Sequence, residues 1–522
     1  MMRITNAMMT SNTKNNININ KLNEDRLNTQ IATGQVISRP SEDPVVAIRA
    51  LRLNTNLSQL TQYYKKNIPD AQAWMNVTET ALKQTDQIFT SIKENLTTGA
   101  SDTNTPSDRQ KILESLKGLR AELYSSGNAD YAERTVFTDY RTQKSLTFLE
   151  TDTDLDWNYK IHETFDVKEL DKINYVTTYN SSTDPISDSS VTQNPIHRIR
   201  LSYDNLNETD EGEVPFKYYN GTTPNTFDLK VQSITGKTQE QIDAIYMSVV
   251  NNDNAAILIP ETGEILLGKT KAYDVQTAAQ TPGSLPACLD YNKNEWKSGD
   301  LRPEHYFACI QDDPRTTATD DNYYNYDQKE ISGKLVPDPD KPNFQNKDME
   351  VEISFNQKIT INTHANEVYT HDIGRDIDEL IKVTQSVVDA DEKVTALEKK
   401  LAETSDETAK AKVQAELDAA SKEYSLKKGK MQKMFAEGLD KFEGYADRNN
   451  LAIANIGSLQ QRLEITKDRV ADQLQSFKEL ADANINIELT ESSIDFASAK
   501  LALEAAQMAA GKIAQQTLLN YL

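Results

Sequence analysis

Eight residues, Gly263-Glu264-Ile265-Leu266-Leu267-Gly268-Lys269-Thr270, match the phosphate-loop pattern letter for letter. That chemistry needs a flexible loop between a strand and a helix, with backbone amides cradling phosphates and the lysine reaching them. Here the interior is Glu-Ile-Leu-Leu, which favours a strand, and Lys271-Ala272-Tyr273-Asp274 offers no helical seam. The run reads as a hairpin strand that ends in a glycine turn. A second candidate, His162-Glu163-Thr164-Phe165-Asp166, falls one residue short of a zinc-protease motif. Two imidazoles on adjacent helical turns must face one metal, and Asp166 stands where the second is required. The surrounding sequence also reads as loop. His162, His197, His305, His364 and His371 have no ligand spacing, and no serine sits in a nucleophile-elbow pattern. Cys288 and Cys309 are neither a disulfide framework nor a zinc set, and their pairing is left open. The sequence makes no positive case for an enzyme, a metal or a cofactor.

The elements around these motifs divide by proline. Of 16 prolines, none falls after Pro342, and those before residue 141 stand where helices begin or stop. The order is helical, then mixed and β-rich, then helical. In the first arm Asp43 can cap a helix that starts at Pro44. Val46, Ala50, Leu53, Leu57, Leu60 and Tyr64 then step by four and three. A second helix is expected after Pro69, with Met75, Leu82, Phe89 and Leu96 at strict heptads. A third opens at Thr105-Pro106-Ser107-Asp108, a capping box, and stops at Gly127-Asn128. The segment Thr10 to Asn20 is crowded with asparagine and threonine; alone it should be disordered, becoming helical only against a partner.

The second arm mirrors the first. Leu380, Val387, Val394 and Leu401 are heptad-spaced, Glu398 to Lys430 is dominated by charge, and Ile456, Leu459, Leu463, Thr466, Val470, Gln473 and Phe477 resume the stepping. From Ile485 onward there are two stripes. Phe496, Ala499, Leu503, Ala506, Ala510 and Ile513 step by three and four, while Ile494, Leu501 and Met508 step by seven. Such a helix needs a partner. Between the arms, Ile199, Leu201 and Tyr203 alternate with polar residues, as do Val351, Ile353 and Phe355. Ala256–Ile259 and Glu264–Leu267 read as a hairpin. The expected fold is α+β: long paired N- and C-terminal helices form an elongated bundle stalk, with a β-rich domain inserted mid-chain. The expected division is 1–35 with 478–522 as a terminal coiled-coil region, 36–140 with 365–477 as a helical bundle, and 141–364 as the insertion.

A net charge of −23 argues against nucleic acid and anionic membrane as partners. No apolar run approaches a bilayer span, and the first residues lack the pattern of a Sec signal.

Several short runs together resemble a known family. Met2-Arg3-Ile4-Thr5, Leu27 through Gly34, and Ser38-Arg39-Pro40-Ser41-Glu42-Asp43-Pro44 resemble the start of the flagellar hook–filament junction proteins (the third hook-associated proteins) of the flagellin superfamily. Asn128-Ala129-Asp130-Tyr131 through Tyr140 is similar to the end of that family's first arm, although Tyr131-Ala132-Glu133-Arg134 departs from its usual aromatic-glycine stretch. Asn455-Ile456-Gly457-Ser458, Gln461-Arg462-Leu463-Glu464 and Gly511 through Leu522 resemble its second arm. The signature positions are Arg3, Gly34, Pro40, Ser41, Asp43, Pro44, Gly457, Arg462 and Leu463. The resemblance implies a structural component of the bacterial flagellum that adapts hook to filament. It implies a homo-oligomeric ring or helical layer, with hook-associated protein 1, flagellin and a flagellar export chaperone as partners. It also implies an extracellular location reached by type III export. Within it, assembly is expected through Ile4, Met8, Leu22, Leu27, Ile494, Leu501, Met508, Ile513, Leu518, Leu519 and Leu522. The alternatives are a flagellin or, of another class, an enzyme or adhesin carried by the insertion.

Overall fold

The computed structural model describes residues 6–102, 104–178, 188–312, 321–323, 328–331, 334–337 and 348–519. Helices α1 (Asn6–Thr33), α2 (Pro44–Gln62), α3 (Ile68–Gly99) and α4 (Pro106–Gly127) come first. Strands β1 (Asp130–Tyr131), β2 (Arg134–Thr135), β3 (Asn158–Phe165), β4 (Leu170–Val176), β5 (Gln193–Arg200), β6 (Glu213–Asn220) and β7 (Thr223–Val231) follow. Then come α5 (Gln239–Asn251), β8 (Ala256–Ile259), β9 (Glu264–Leu267), α6 (Lys269–Ala279), β10 (Ala287–Lys293), β11 (Ala308–Asp312) and β12 (Asp321–Tyr323). After β13 (Gln328–Ile331), β14 (Lys334–Pro337), β15 (Glu350–Ser354) and β16 (Gln357–Thr360), the chain returns to helix. These are α7 (Ala365–Val368), α8 (His371–Glu403), α9 (Glu407–Ile485) and α10 (Leu489–Leu519). The fold is α+β.

The chain forms two compact units: Met1–Gln72 with Val351–Ile359 and Gln460–Leu522, and Ala73–Glu350 with Thr360–Leu459. In the first, Asp43 caps α2: its Oδ1 accepts from the amides of Val45 (2.9 Å) and Val46 (3.1 Å), with Pro44 at the first helical position. The expected restart after Pro69 does not occur. α2 runs into α3 through a π-helical turn, Tyr63–Asn67, in which the Ile68 amide reaches back five residues to the Tyr63 carbonyl. Pro69 has no amide to donate, and the wider turn makes room for its ring, so the helix bulges instead of stopping. The β15–β16 hairpin braces this turn. Asn67 Nδ2 donates to the Glu352 carbonyl at 2.8 Å, and the Tyr63 and Phe355 rings meet edge to face at 5.8 Å. Ile353, Ile359, Leu60, Ile68, Leu463 and Val470 are buried in this unit. The segment Thr10 to Asn20, expected to be disordered alone, is helical: its partner is α10 of the same chain.

In the second unit the heptad Met75, Leu82, Phe89 and Leu96 is fully buried. Its partners include Phe435 and Phe442 of α9; the Phe89 and Phe442 rings lie 6.3 Å apart. The capping box at Thr105 and Asp108 forms, with Pro106 inside it, and α4 stops at Asn128. In the charged stretch of α8 and α9, Lys393 and Lys427 pair with the buried Glu423 (3.3 and 2.7 Å), and Lys400 pairs with Glu416 (3.3 Å).

A ten-stranded sheet dominates this unit, in the order β12-β11-β3-β10-β6-β7-β8-β9-β5-β4. Neighbours are antiparallel except β7 and β8, and a parallel pair needs a crossover, which α5 supplies. Ile245, Tyr246 and Val249 of α5 pack on Ile196, Ile257, Ile259 and Leu266. Cys288 and Cys309 are free and buried. They lie on β10 and β11, either side of β3, opposite Thr164 and Ile161. Two strand spacings of about 4.8 Å each separate their strands, too far for a disulfide. The stretch that carries β3 to β10 is cross-braced at its two ends: the Phe148 amide donates to the Asp300 carbonyl (2.8 Å) and that of Arg302 to Leu146 (3.0 Å).

Buried ion pairs tie β5 and β9 to α8. Arg198 Nη1 lies 2.7 Å from both Glu264 and Glu379, while Arg200 bonds Glu379 at 2.8 Å and also Asp376. Burial alone would raise the Glu379 pKa, but Arg198 and Arg200 hold it down at about 2. A depressed carboxylate pKa adds stability that is present above the unfolded value, near 4.5, and lost as pH falls toward 2. Glu379→Gln should therefore flatten the acid-denaturation profile across that window and cost about 3–5 kcal/mol at neutral pH, where two arginines lose a counter-ion. An unchanged acid profile in urea titrations would contradict this. The β1–β2 turn offers a second test, because Ala132 (φ 52°) and Glu133 (φ 63°) both adopt the left-handed conformation. This is the two-residue geometry that favours glycine. Glu133→Gly is expected to stabilise the protein by about 0.5–1 kcal/mol, read as a higher urea midpoint.

Candidate assembly interface

α1 ends at Gly34, whose φ of 73° and amide bond to the Gln30 carbonyl (2.8 Å) form a left-handed cap. The chain just beyond it meets the α9–α10 connection. Val36 donates to the Ile485 carbonyl (2.8 Å), Ile487 donates to that of Gly34 (3.1 Å), and Gln35 bridges Asn486. This exchange fixes α1 and α10 side by side and antiparallel; farther along, Asn20 Nδ2 donates to the Ala502 carbonyl at 3.3 Å.

The seam between the helices keeps a coiled-coil rhythm. On α1 the half-buried positions include Thr13, Ile17, Asn20, Glu24, Leu27 and Ile31, stepping by four and three, with Thr29 and Gln30 beside the last of them. On α10 they are Phe496, Ala499, Ala506 and Ala510, with Leu503 buried. The small residues on α10 leave room for the polar side chains of α1. One of the two stripes read from the sequence is thus satisfied inside the chain.

The other is not. Ile494, Leu501 and Met508, one heptad apart, are 62, 66 and 66% exposed. On α1, Met8 and Leu22 are 59 and 68% exposed. Burial of such a side chain is worth about 1.5–3 kcal/mol, and a regular stripe of them is a surface built to be covered. Leu27 faces the internal seam. Ile513, Leu518 and Leu519 belong to α10, whereas Arg3, Ile4 and Leu522 lie outside the described residues.

The signature residues have distinct local roles. Pro40 and Ser41 form the turn before Asp43, closed by the Ser38 hydroxyl donating to Glu42 at 2.8 Å. Leu463 is buried, and Arg462 donates to the Lys358 carbonyl of the hairpin at 3.3 Å. Gly457 is exposed in mid-helix, where an added Cβ would meet open space. The sequence reading missed a further exposed run on α2, Val45, Ile48 and Leu51. Its spacing of three was legible but was masked by the stronger adjacent seam. The contact of the hairpin with the π-turn had no sequence signal.

The two chemical motifs resolve into structure. The hairpin forms as expected, with Gly263 at φ 62° in its turn. A Cβ there would lie 2.0 Å from the Tyr203 carbonyl oxygen, which accounts for the glycine. Contrary to expectation, a helix follows: α6 starts at once, because Gly268 caps it and Ala272, Val275 and Ala278 supply a short buried face. The start of α6 is nevertheless occupied by protein. The Thr270 amide donates to the Asp253 carbonyl at 2.9 Å, and a Cβ on Gly268 would touch the same backbone. Ile265, Leu266 and Leu267 are buried, so no loop encircles a phosphate. His162 and Glu163 lie on a strand, β3, not the expected loop, and strand geometry sends them to opposite faces. His162 Nδ1 meets Asp290 at 2.6 Å, while Glu163 is buried and accepts from Tyr291 (2.6 Å) and Ser202 (2.7 Å). Burial raises the Glu163 pKa. Among the described residues no three His, Cys, Asp or Glu side chains converge on a metal position.

Residues 4–142 match the model of the bacterial flagellin N-terminal helical region. That match places a flagellin-type helical region at the start of the chain. The chain is 27% identical over 143 residues to flagellar hook-associated protein 3 of Salmonella typhimurium, and 25% identical over 143 residues to that of Escherichia coli. Each match covers 27% of this chain and 45% of the relative, so the chain spans just under half the length of the curated relatives it matches. A flagellin of Clostridium tyrobutyricum is 25% identical over 145 residues, covering 28% of this chain and 36% of that protein. Among solved structures, flagellar hook-associated protein 3 from Legionella pneumophila aligns over 83% of this chain and 97% of its own, at 8% identity and a TM-score of 0.30.

The filled start of α6 gives a direct test. Calorimetry with ATP and magnesium should show no binding to the intact protein, and Lys269→Ala should change nothing. Saturable ATP binding that is lost in Lys269→Ala would overturn the hairpin reading.

Proposed function

We propose that this protein is a structural subunit of the bacterial flagellum, at the hook–filament junction, and that it carries no enzymatic activity. The observation that carries the reading is the uncovered heptad stripe Ile494, Leu501 and Met508 on the helix paired with the flagellin-type α1. An exposed, regular apolar stripe on a helix already paired once calls for packing against further helices. The flagellin family supplies the kind of partner, and the relatives named flagellar hook-associated protein 3 supply the position.

In this reading copies of the chain assemble as a ring or helical layer, between hook-associated protein 1 on one side and flagellin on the other. The protein is extracellular, reached by type III export with a chaperone covering the stripe beforehand. The domain scheme that goes with it assigns assembly to 1–35 and 478–522, the bundle to 36–140 and 365–477, and a variable insertion to 141–364. Ile4, Ile513, Leu518, Leu519 and Leu522 extend the assembly surface beyond Met8, Leu22 and the α10 stripe. A flagellin role is the second reading, favoured only by the match to the Clostridium flagellin.

Leu501→Glu with Met508→Glu should leave the sheet folded, by circular dichroism, and abolish incorporation into flagella. Normal incorporation of that double variant in electron micrographs would refute the stripe as the assembly surface. Antibody labelling of intact flagella separates the two readings: a single band between hook and filament marks a junction subunit, and label along the filament marks a flagellin.

A further inference from the structure

Beside the ion pairs of β5 and α8 lies a lysine that none of them engages at contact distance. Lys430 of α9 lines a cavity of about 300 Å³ and an adjoining one of about 210 Å³, with Arg198 and Glu379 shared between them. Every acid on the larger cavity's wall is already engaged. Glu379 holds Arg198 (2.7 Å) and Arg200 (2.8 Å), and Asp376 holds Arg200 and Lys441 (3.1 Å). Asp171 approaches Arg198 (3.6 Å), and Glu437 pairs with Lys433 (3.5 Å). Glu264, which faces the smaller cavity, is taken up by Arg198 (2.7 Å) and the Tyr246 hydroxyl (2.7 Å). Lys430 makes no hydrogen bond or ion pair with any described residue. Glu379 and Glu264 attract the Lys430 ammonium only from a distance, with Arg198 opposing them, and an ammonium held away from bulk water with no carboxylate in contact gains when an anion arrives. Burial accordingly lowers the Lys430 pKa.

Leu380, Met434 and Phe442 add apolar lining to the larger cavity, Met434 one helical turn from Lys430 on the same face of α9. A cavity of this size with some apolar lining and a few convergent polar groups has the character of a small-ligand pocket. We propose that this cleft binds a small carboxylate carried on an apolar body, its charge against Lys430 and its body against Met434 and Phe442. The inference goes beyond the assembly role and does not depend on it, since every residue it uses lies in the sheet-bearing unit.

The test uses the full-length protein, with benzoate as the probe and inorganic phosphate as the comparison, by titration calorimetry. Benzoate should bind saturably, phosphate should bind more weakly, and Lys430→Met should weaken benzoate at least about tenfold, or 1.4 kcal/mol. Met434→Trp fills the cavity without touching a charge, and it should abolish benzoate binding with an unchanged dichroism spectrum. The proposal fails if the wild type shows no saturable benzoate binding, if phosphate is preferred, or if folded Lys430→Met binds as the wild type does. Should Lys430→Met not fold, undiminished benzoate affinity in folded Met434→Trp overturns the site on its own.

Discussion

The core of the sheet-bearing unit can close only when residues from its two sequence extremes meet. Leu82, Phe89 and Leu96 of α3 are buried with Phe435 and Phe442 of α9, and Asn449 Nδ2 reaches the Leu82 carbonyl across 367 residues. The fit is tight: a Cβ on Gly99 would lie 2.0 Å from the Phe435 ring. Everything between must leave that core and come back to it. The entropy of closing a loop grows only logarithmically with its length, so a large intervening segment is tolerated if its ends return together. The backbone exchange between Leu146–Phe148 and Asp300–Arg302 already brings together the ends of the stretch that carries β3 to β10.

Where one strong periodicity decided the outcome, the sequence was sufficient. The heptad of α3, the caps at Asp43 and Thr105, and the hairpin around Gly263 are local signals, and each formed as read. Propensity misled where tertiary contact overruled it. The asparagine-rich part of α1 is a poor helix former, yet the alanine-lined seam of α10 accepts its polar side chains. Pro69 signals a break, but a π-turn absorbs it because Glu352 and Phe355, nearly three hundred residues later in the chain, brace the turn. The helix after Gly268 was missed because its buried face is only alanine and valine.

The candidate site shows the same limit more sharply. Both stripes of α10 were visible as spacing, but nothing in the spacing said which would be covered. The Phe496–Ala510 stripe carries three alanines, Ala499, Ala506 and Ala510, that let helices approach, and the Ile494–Met508 stripe carries none. The closer approach went to the internal partner, leaving the bulkier stripe uncovered. The ion-pair cluster had no sequence signature, because Arg198, Glu264, Glu379 and Lys430 come from four separate elements and meet only in three dimensions.

The two cysteines have a practical side. Both thiols sit inside the sheet, and burial pushes each above its ordinary pKa, so neither forms a reactive thiolate while the sheet is intact. The chain has no others. The native protein should therefore be silent toward thiol-directed dyes and become reactive when the sheet opens, a built-in reporter of whether a given molecule is folded. The same silence leaves the rest of the surface free for single introduced cysteines, each of which would be the one position a fluorophore or spin label could reach.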